Sequence, residues 1–170
     1  MKNENVAYLA QGAVIAALYV VLTLFINAFN LASGAIQVRI SEALTILPAF
    51  TGSAVPGLFI GCVLANLLGG NHILDVVFGS LATLAGAIGT RKLRKAHPLL
   101  APLPPIVANT LVVPFVLKYA YGMPLSIPYM MLTVCIGEVL SCGVLGMLLY
   151  YVLRKRKDVI FKTQDEEAEN

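Results

Sequence analysis

The fold is decided by residues 38–69, which read VRISEALTILPAFTGSAVPGLFIGCVLANLLG. A single helix of that length would be about 48 Å long at a rise of about 1.5 Å per residue. The hydrocarbon core of a bilayer is only about 30 Å thick, so one membrane-spanning helix cannot contain the stretch. The glycines and the proline of TGSAVPG (51–57) interrupt the helical pattern. We therefore predict two short helices, over 40–51 and 54–69. Either both helices are tilted, or the first one ends inside the protein.

The composition places the chain in a lipid bilayer. Of its 170 residues, 58% are hydrophobic and 12% are charged, whereas a soluble domain has roughly 45–50% apolar and about 25% charged residues. We predict an all-α polytopic membrane protein without a separate soluble domain. A transmembrane domain over 6–153 is expected between an N-terminal segment, 1–5, and a charged tail, 154–170. The six predicted spans are 6–29, 40–51, 54–69, 73–90, 101–120 and 126–153.

Two basic clusters predict the orientation of these spans. RKLRK (91–95) follows the fourth span, and RKRK (154–157) follows the sixth. Because cytoplasmic loops carry an excess of Lys and Arg, both clusters and both termini are predicted to lie on the cytoplasmic side of the cell membrane. The same topology accounts for the net charge of +3, which argues against nucleic-acid binding.

Charged residues within the predicted spans are candidates for a binding site, because they are costly in a membrane and mark functional sites. Arg39 and Glu42 are three residues apart, hence on one face of a helix, and are predicted at the outer end of the second span. Glu138, in VCIGEVLSCG (134–143), is predicted near the midplane, at a different depth from Glu42. Alternatively, Arg39 is an interfacial anchor, and Glu138 is a structural partner of Arg39, Asn109 or a polar group of the first span.

Further polar residues gather on the predicted outer side. They are Asn66, Asn71, Asp75, Tyr119 and Tyr121. Each has a structural alternative: Asp75 is favoured by the dipole at a helix N-terminus, and the tyrosines fit an aromatic belt. Their convergence on one side nevertheless favours a binding site that is reached from outside.

The sequence lacks the motifs of common ATPases and hydrolases. It contains no G-x-x-x-x-G-K-[ST] phosphate loop and no HExxH or GxSxG motif. The cysteines have no CxxC spacing and are interpreted as small buried hydrophobic residues, without a metal, cofactor or disulfide: Cys62, Cys135 and Cys142. We predict a small-molecule binder, carrier or oligomeric channel that is not an enzyme. It works passively, couples to an ion gradient or depends on a separate energy source.

The first span carries a candidate contact face for another helix. In QGAVIAALYVVLT (11–23), small residues four apart form two neighbouring strips, Gly12 with Ala16 and Ala13 with Ala17. Small residues allow a second helix to approach closely. These four residues are therefore predicted to bind a partner protein.

Three stretches resemble the QueT family of S-components, the substrate-binding subunits of energy-coupling factor (ECF) transporters. They are QVRISEALTILPAF (37–50), GLFIGCVLANLLGG (57–70) and DVVFGSLATLAGA (75–87), within a resemblance that covers roughly 6–153. The resemblance implies a six-helix S-component-like bundle that captures a queuosine precursor from outside. It also implies docking on a transmembrane T subunit that is driven by two cytosolic ATPase subunits. The family's A-x-x-x-A on the first helix contacts the T subunit, and Ala13 and Ala17 match it.

The implied ligand, a 7-deazaguanine such as preQ1, suits the candidate residues. Its guanine-type edge offers adjacent N–H donors to a carboxylate, its aminomethyl group is cationic, its carbonyl needs a donor, and its flat ring can stack on an aromatic side chain. The predicted substrate-binding residues are Arg39, Glu42, Asn66, Asn71, Asp75, Tyr119, Tyr121 and Glu138. The alternatives are an S-component for another small nutrient and a proton-coupled carrier in which Glu138 titrates.

Overall fold

The computed structural model describes residues 2–28 and 39–156, with side chains from residue 5 onward in the first helix. All regular structure in this described part is helical. The main elements are α1 (Lys2–Ala28), a 3-10 helix (Ile40–Ala49), α2 (Ala54–Leu68), a π-helical turn (Asp75–Gly79) that leads into α3 (Ser80–Lys92), α4 (Leu103–Tyr119) and α5 (Ile127–Arg154). Two single 3-10 turns, Leu93–Lys95 and Pro98–Leu100, precede α4. A π-helical segment, Val139–Leu145, interrupts α5.

These six helices confirm the predicted all-α membrane fold, and each overlaps one predicted span. Three of them are long and apolar enough to cross a membrane: Asn5–Ala28, Pro98–Tyr119 and Ile127–Arg154. α1 begins at Lys2, so residues 2–5 of the predicted N-terminal segment are helical. Residue 29 of the first predicted span and residues 157–170 of the predicted tail lie outside the described residues.

The bundle exposes apolar side chains and buries polar ones. Val6, Leu9 and Val21 of α1 are at least 61% exposed. The buried polar side chains include Glu42, Asn66, Asp75, Asn109 and Glu138. Hydrocarbon tolerates an apolar surface but offers no hydrogen bonds to a polar group. The polar residues must therefore be satisfied by one another, or by a ligand, inside the bundle.

The 3-10 helix is buried at the centre of the bundle. Residues 41–48 are all buried, and the helix packs against α1, α3 and α5. Its 10 residues give a length of about 20 Å at about 2.0 Å per residue. The Arg39 N–H donates to Ser141 Oγ at 3.1 Å, near the midpoint of α5. The helix therefore begins inside the bundle, and the prediction that Arg39 lies near a membrane interface is wrong.

The 3-10 helix ends beside the first predicted basic cluster. Arg91 donates from Nη1 to the Pro48 carbonyl at 3.3 Å. The Phe50 ring packs on the ring of Tyr150, near the end of α5, at a centroid distance of 4.9 Å. The first turns of α1 lie at this same end, beside Arg91. We call it the basic end of the bundle, and it brings together the two clusters that the sequence predicted on one side.

Candidate functional site

Glu42 is the centre of a buried group of polar side chains. It lies in the first turn of the 3-10 helix and is 1% exposed. The Tyr19 hydroxyl of α1 donates to its Oε1 at 2.5 Å, and Nδ2 of Asn109 in α4 donates to its Oε2 at 3.4 Å. Contacts from two other helices therefore fix this carboxylate, with one donor at each oxygen.

Glu138 of α5 lies beside Glu42. The Cys142 thiol donates to Glu138 Oε2 at 3.1 Å and lies 3.4 Å from the Glu42 carbonyl. One ligand atom from each of Glu42, Glu138 and Cys142 lies within 4.8 Å of the other two. The two carboxylates are thus at one depth, so the prediction of different depths is wrong, because the 3-10 helix begins inside the bundle. We call Tyr19, Glu42, Asn109, Glu138 and Cys142 the carboxylate cluster.

The π-helical segment of α5 lies at this cluster. It follows Glu138 directly and contains Ser141 and Cys142. A π turn has an additional residue, which changes the side chains that a helix presents to its neighbour, and such turns are frequent at functional sites. Here Ser141 accepts from the start of the 3-10 helix, while the Cys142 sulfur lies 3.3 Å from Thr45 Oγ1. The irregular segment thus ties α5 to the 3-10 helix at the level of the two carboxylates.

Four further candidates form a second group, nearer the end opposite the basic end. Asn71 Nδ2 donates to Asn66 Oδ1 at 2.8 Å, and the Tyr121 hydroxyl donates to Asp75 Oδ2 at 3.2 Å. Asn66 Nδ2 also donates to the Asp75 carbonyl at 3.5 Å. We call these four residues the Asp75 cluster. It joins α2, the π-helical turn before α3 and the loop after α4.

The Asp75 carboxylate is only partly satisfied. The residue is 5% exposed, and Oδ1 has no hydrogen-bond partner within the described ranges. In the loop after α4, partial burial raises the pKa of Tyr121, and the neighbouring Asp75 charge raises it further. The Tyr121 hydroxyl therefore stays protonated and can donate to Asp75 at neutral pH. It also accepts from the His72 N–H at 3.1 Å.

Arg39 links the two clusters through its charge. Both Asp75 and Glu42 lie close enough to attract it. Its charge also acts on Glu138. The hydrogen bonds that orient Glu42, however, come from Tyr19 and Asn109. Arg39 therefore acts on Glu42 as a nearby charge rather than as the residue that orients it.

Tyr119 is the predicted binding residue that the structure leaves apart from the others. It is 72% exposed. With Phe78 and Phe115 it lines a shallow apolar groove of about 350 Å³ beside α4. Of the other seven predicted residues, six lie in the two clusters, and the charge of Arg39 acts on both clusters.

Three members of the carboxylate cluster were absent from the predicted binding set, although each left a signal in the sequence. Asn109 is an amide within an apolar span, where a polar group needs an internal partner. Tyr19 is a tyrosine in mid-span, whose hydroxyl usually finds a partner when it is buried. Cys142 follows Glu138 by four residues, a spacing that brings helical side chains together. Cys142 is buried as predicted, but it is also hydrogen-bonded.

The carboxylate cluster has the donor set for a cation. Two carboxylates and a thiol suit a borderline divalent ion such as Zn²⁺, and the carboxylates alone suit an organic ammonium group. The predicted absence of a metal stays a prediction.

Comparison with known proteins assigns the chain to a family. The profile of the QueT transporter family matches residues 9–155. The chain belongs to the QueT transporter family. Over 84 residues it is 34% identical to the queuosine precursor transporter QueT of Lactococcus lactis subsp. cremoris (strain MG1363). That alignment covers 49% of this chain and 49% of the relative, so the match spans about half the length of the relative. No solved structure matches the chain.

In this member of the QueT family, one predicted strip of α1 is covered by α2. Gly12 and Ala16 are buried. A Cβ atom at Gly57 would lie 2.7 Å from the Gly12 carbonyl oxygen, and one at Gly61 would lie 3.0 Å from Ala16 Cα. The two helices approach this closely only because α2 has glycine at both positions.

The other predicted strip of α1 remains uncovered within the described residues. Ala13 and Ala17 are exposed. They line a groove of about 690 Å³ between α1 and α2. The groove extends from Tyr8, at the basic end, to Leu68, at the end of α2, and is therefore about as long as the shorter helix.

Proposed function

We propose that this protein is the substrate-binding subunit, or S-component, through which a cell takes up a queuosine precursor. The T subunit and two ATPase subunits of an ECF transporter supply the energy. The L. lactis relative is named for that substrate class. The observation that carries the proposal is the carboxylate cluster, in which Glu42 and Glu138 lie together in the middle of the bundle. Ionisable residues in that position mark substrate pathways in membrane proteins.

A 7-deazaguanine such as preQ1 supplies the N–H donors and the positive charge that this site lacks. Its ring edge carries adjacent N–H donors and its aminomethyl group carries a positive charge, whereas the site is rich in acceptors. The carboxylates of Glu42 and Glu138 accept these groups. Asn66 and Asn71 of the Asp75 cluster are amide donors for the ring carbonyl, and Tyr121 offers an aromatic face for stacking. Arg39, whose charge acts on both clusters, is a further donor.

The exposed strip of Ala13 and Ala17 is the docking face for the T subunit in this proposal. Its small side chains allow a partner helix to approach the backbone of α1. The adjoining groove, which runs from Tyr8 to Leu68, gives that helix a continuous apolar surface. Gly12 and Ala16 support the face from behind, since they hold α2 close to α1.

The basic end is assigned to the cytoplasm, with both termini on that side. The support is the positive-inside rule, because Arg91 and the other basic residues after α3 and α5 lie at one end of the bundle. The Asp75 cluster then lies on the outer side of the carboxylate cluster, on the route by which a substrate enters from outside.

Uptake measurements test the proposal. Cells that express the complete transporter are given labelled preQ1, first with catalytically inactive ATPase subunits and then with an uncoupler at constant ATP. Uptake should stop in the first case and persist in the second. The reverse result would identify a proton-coupled carrier. Mass spectrometry of the purified protein adds a second criterion, since a co-purified heterocycle of another class would identify an S-component for a different nutrient.

A further inference from the structure

The charges in the site are unbalanced toward the negative. Glu42, Asp75 and Glu138 are each at most 6% exposed, and Arg39 is a basic residue whose charge acts on all three. Lys118 does not add to this positive charge in the site, because its Nζ donates to two backbone carbonyls in the loop after α4, at 3.3 and 3.2 Å. Two neighbouring carboxylates with limited access to water are unfavourable unless a cation or a proton neutralises them.

The supply of hydrogen-bond donors differs between the two neighbouring carboxylates. Glu42 receives a hydroxyl and an amide, one at each oxygen. Glu138 receives the Cys142 thiol at Oε2 and shares the Asn109 amide with Glu42, but it receives no hydroxyl comparable to that of Tyr19 within the described residues. A thiol is a weak donor, whereas an ionised carboxylate can accept about four hydrogen bonds. Glu138 is therefore the carboxylate with unused acceptor capacity, in a side chain that is 6% exposed.

We propose that Glu138 accepts the primary ammonium of the substrate's aminomethyl group, so that this protein selects cationic over neutral 7-deazaguanines. This inference rests on the proposed function, because it takes the carboxylate cluster to be the substrate site. Glu42, already held by Tyr19 and Asn109, then accepts the uncharged N–H donors of the ring edge. The division follows from the strength of these donors, since the charged group binds at the carboxylate whose protein donors are weakest.

Three ligands with the same ring separate charge from shape. They are 7-aminomethyl-7-deazaguanine, which is cationic, 7-hydroxymethyl-7-deazaguanine, which is neutral and of similar size, and 7-cyano-7-deazaguanine, which is neutral. Their affinities for the purified full chain in nanodiscs are measured by calorimetry with EDTA present. We expect wild type to prefer the aminomethyl ligand by about ten- to a hundred-fold over both neutral ligands, the range for hydrogen bonds that involve a charged group.

Substitution of each carboxylate shows which of the two causes the preference for the aminomethyl ligand. Glu138→Gln should weaken binding of the aminomethyl ligand and spare the two neutral ligands, so that the preference falls to about threefold or less. Glu42→Gln is the matched control, and it should weaken all three ligands alike. Retained affinity for the neutral ligands shows that the Glu138→Gln variant is folded. If that variant does not fold, the wild-type preference for charge at constant size still tests the proposal.

The outcomes distinguish this inference from the function on which it rests. Failure of wild type to bind any of the three ligands, both in EDTA and after Zn²⁺ is restored, would refute the proposed function. Equal binding of all three by wild type would overturn the charge selectivity and leave the function standing. A preference that persists in Glu138→Gln would overturn the role of Glu138. Binding that is lost in EDTA and restored by Zn²⁺ would place a metal ion, rather than an ammonium group, at the cluster.

Discussion

Replacement of Tyr19 by Phe should destabilise the bundle, and most of the effect should depend on Glu42. The Tyr19 hydroxyl lies 2.5 Å from Glu42 Oε1, in a side chain that is 2% exposed, so water has little access to replace it. Hydrogen bonds to charged groups contribute about 1.5–3 kcal/mol, whereas those between transmembrane helices average about 0.6 kcal/mol. The amide oxygen that Glu42→Gln leaves can still accept from the Tyr19 hydroxyl. The coupling energy between Tyr19→Phe and Glu42→Gln is therefore the excess of the charged bond over a neutral one, which we expect to be about 1–2.5 kcal/mol.

A double-mutant cycle measures that coupling energy. Wild type, both single variants and the double variant are unfolded at equilibrium in mixed micelles of increasing SDS content. Circular dichroism follows the unfolding, because the chain has no Trp. The matched control is Tyr121→Phe, which removes the same atom from a residue that donates to Asp75 but is 45% exposed. Its loss should be about 0.5–1.5 kcal/mol. A Tyr19–Glu42 coupling energy near zero would refute the reasoning, because the bond would then be no stronger than a neutral one.

The remaining predictions concern the docking face, the helix packing and the orientation. Ala13→Leu or Ala17→Leu should leave ligand binding by the isolated protein unchanged and reduce uptake by the assembled transporter, because bulk is added at the exposed strip; normal uptake in both variants would contradict the docking assignment. Gly61→Ala should lower stability in the SDS titration by about 1–3 kcal/mol, since its Cβ would lie 2.9 Å from a side-chain atom of α1. Gly143→Ala, whose Cβ would lie 3.7 Å from its nearest neighbour, is the matched control and should show no such loss. A cysteine added at either terminus should resist an impermeant maleimide in intact cells and react after lysis, whereas labelling from outside would reverse the orientation.

The helix positions could be predicted because they depend on local sequence. The apolar runs and the break at TGSAVPG are visible in the chain itself, and the structure ends the 3-10 helix at Ala49 and begins α2 at Ala54. The 3-10 conformation could not be predicted in this way. Runs of that helix longer than three or four residues are uncommon, and here it is surrounded by other helices. The 3-10 conformation occurs together with packing against those helices and with the bond from Thr45 Oγ1 to the Glu42 carbonyl at 2.6 Å. The periodicity of the sequence specifies neither of these contacts.

The candidate site was predicted in its residues better than in its geometry. Glu42 and Glu138 were recognisable because an ionisable residue in an apolar span is conspicuous. Their proximity was missed, because depth was counted from the ends of spans that were assumed to begin at the membrane surface. Neutral partners such as Tyr19 and Asn109 are less conspicuous in sequence. Their role is visible only when the tertiary structure places their donors at the Glu42 oxygens.

The short 3-10 helix explains why the site lies where it does. A helix that crossed the whole bilayer would continue past Glu42 and fill the centre of the bundle with its own apolar side chains. The described helix instead begins beside Ser141, and its first turn leaves Glu42 next to Glu138. Buried carboxylates add little to stability and often lower it, and apolar residues of similar volume would pack there at lower cost. A bundle that keeps two such groups together, with one of them short of donors, is better suited to receiving a donor-rich cation than to being stable while empty.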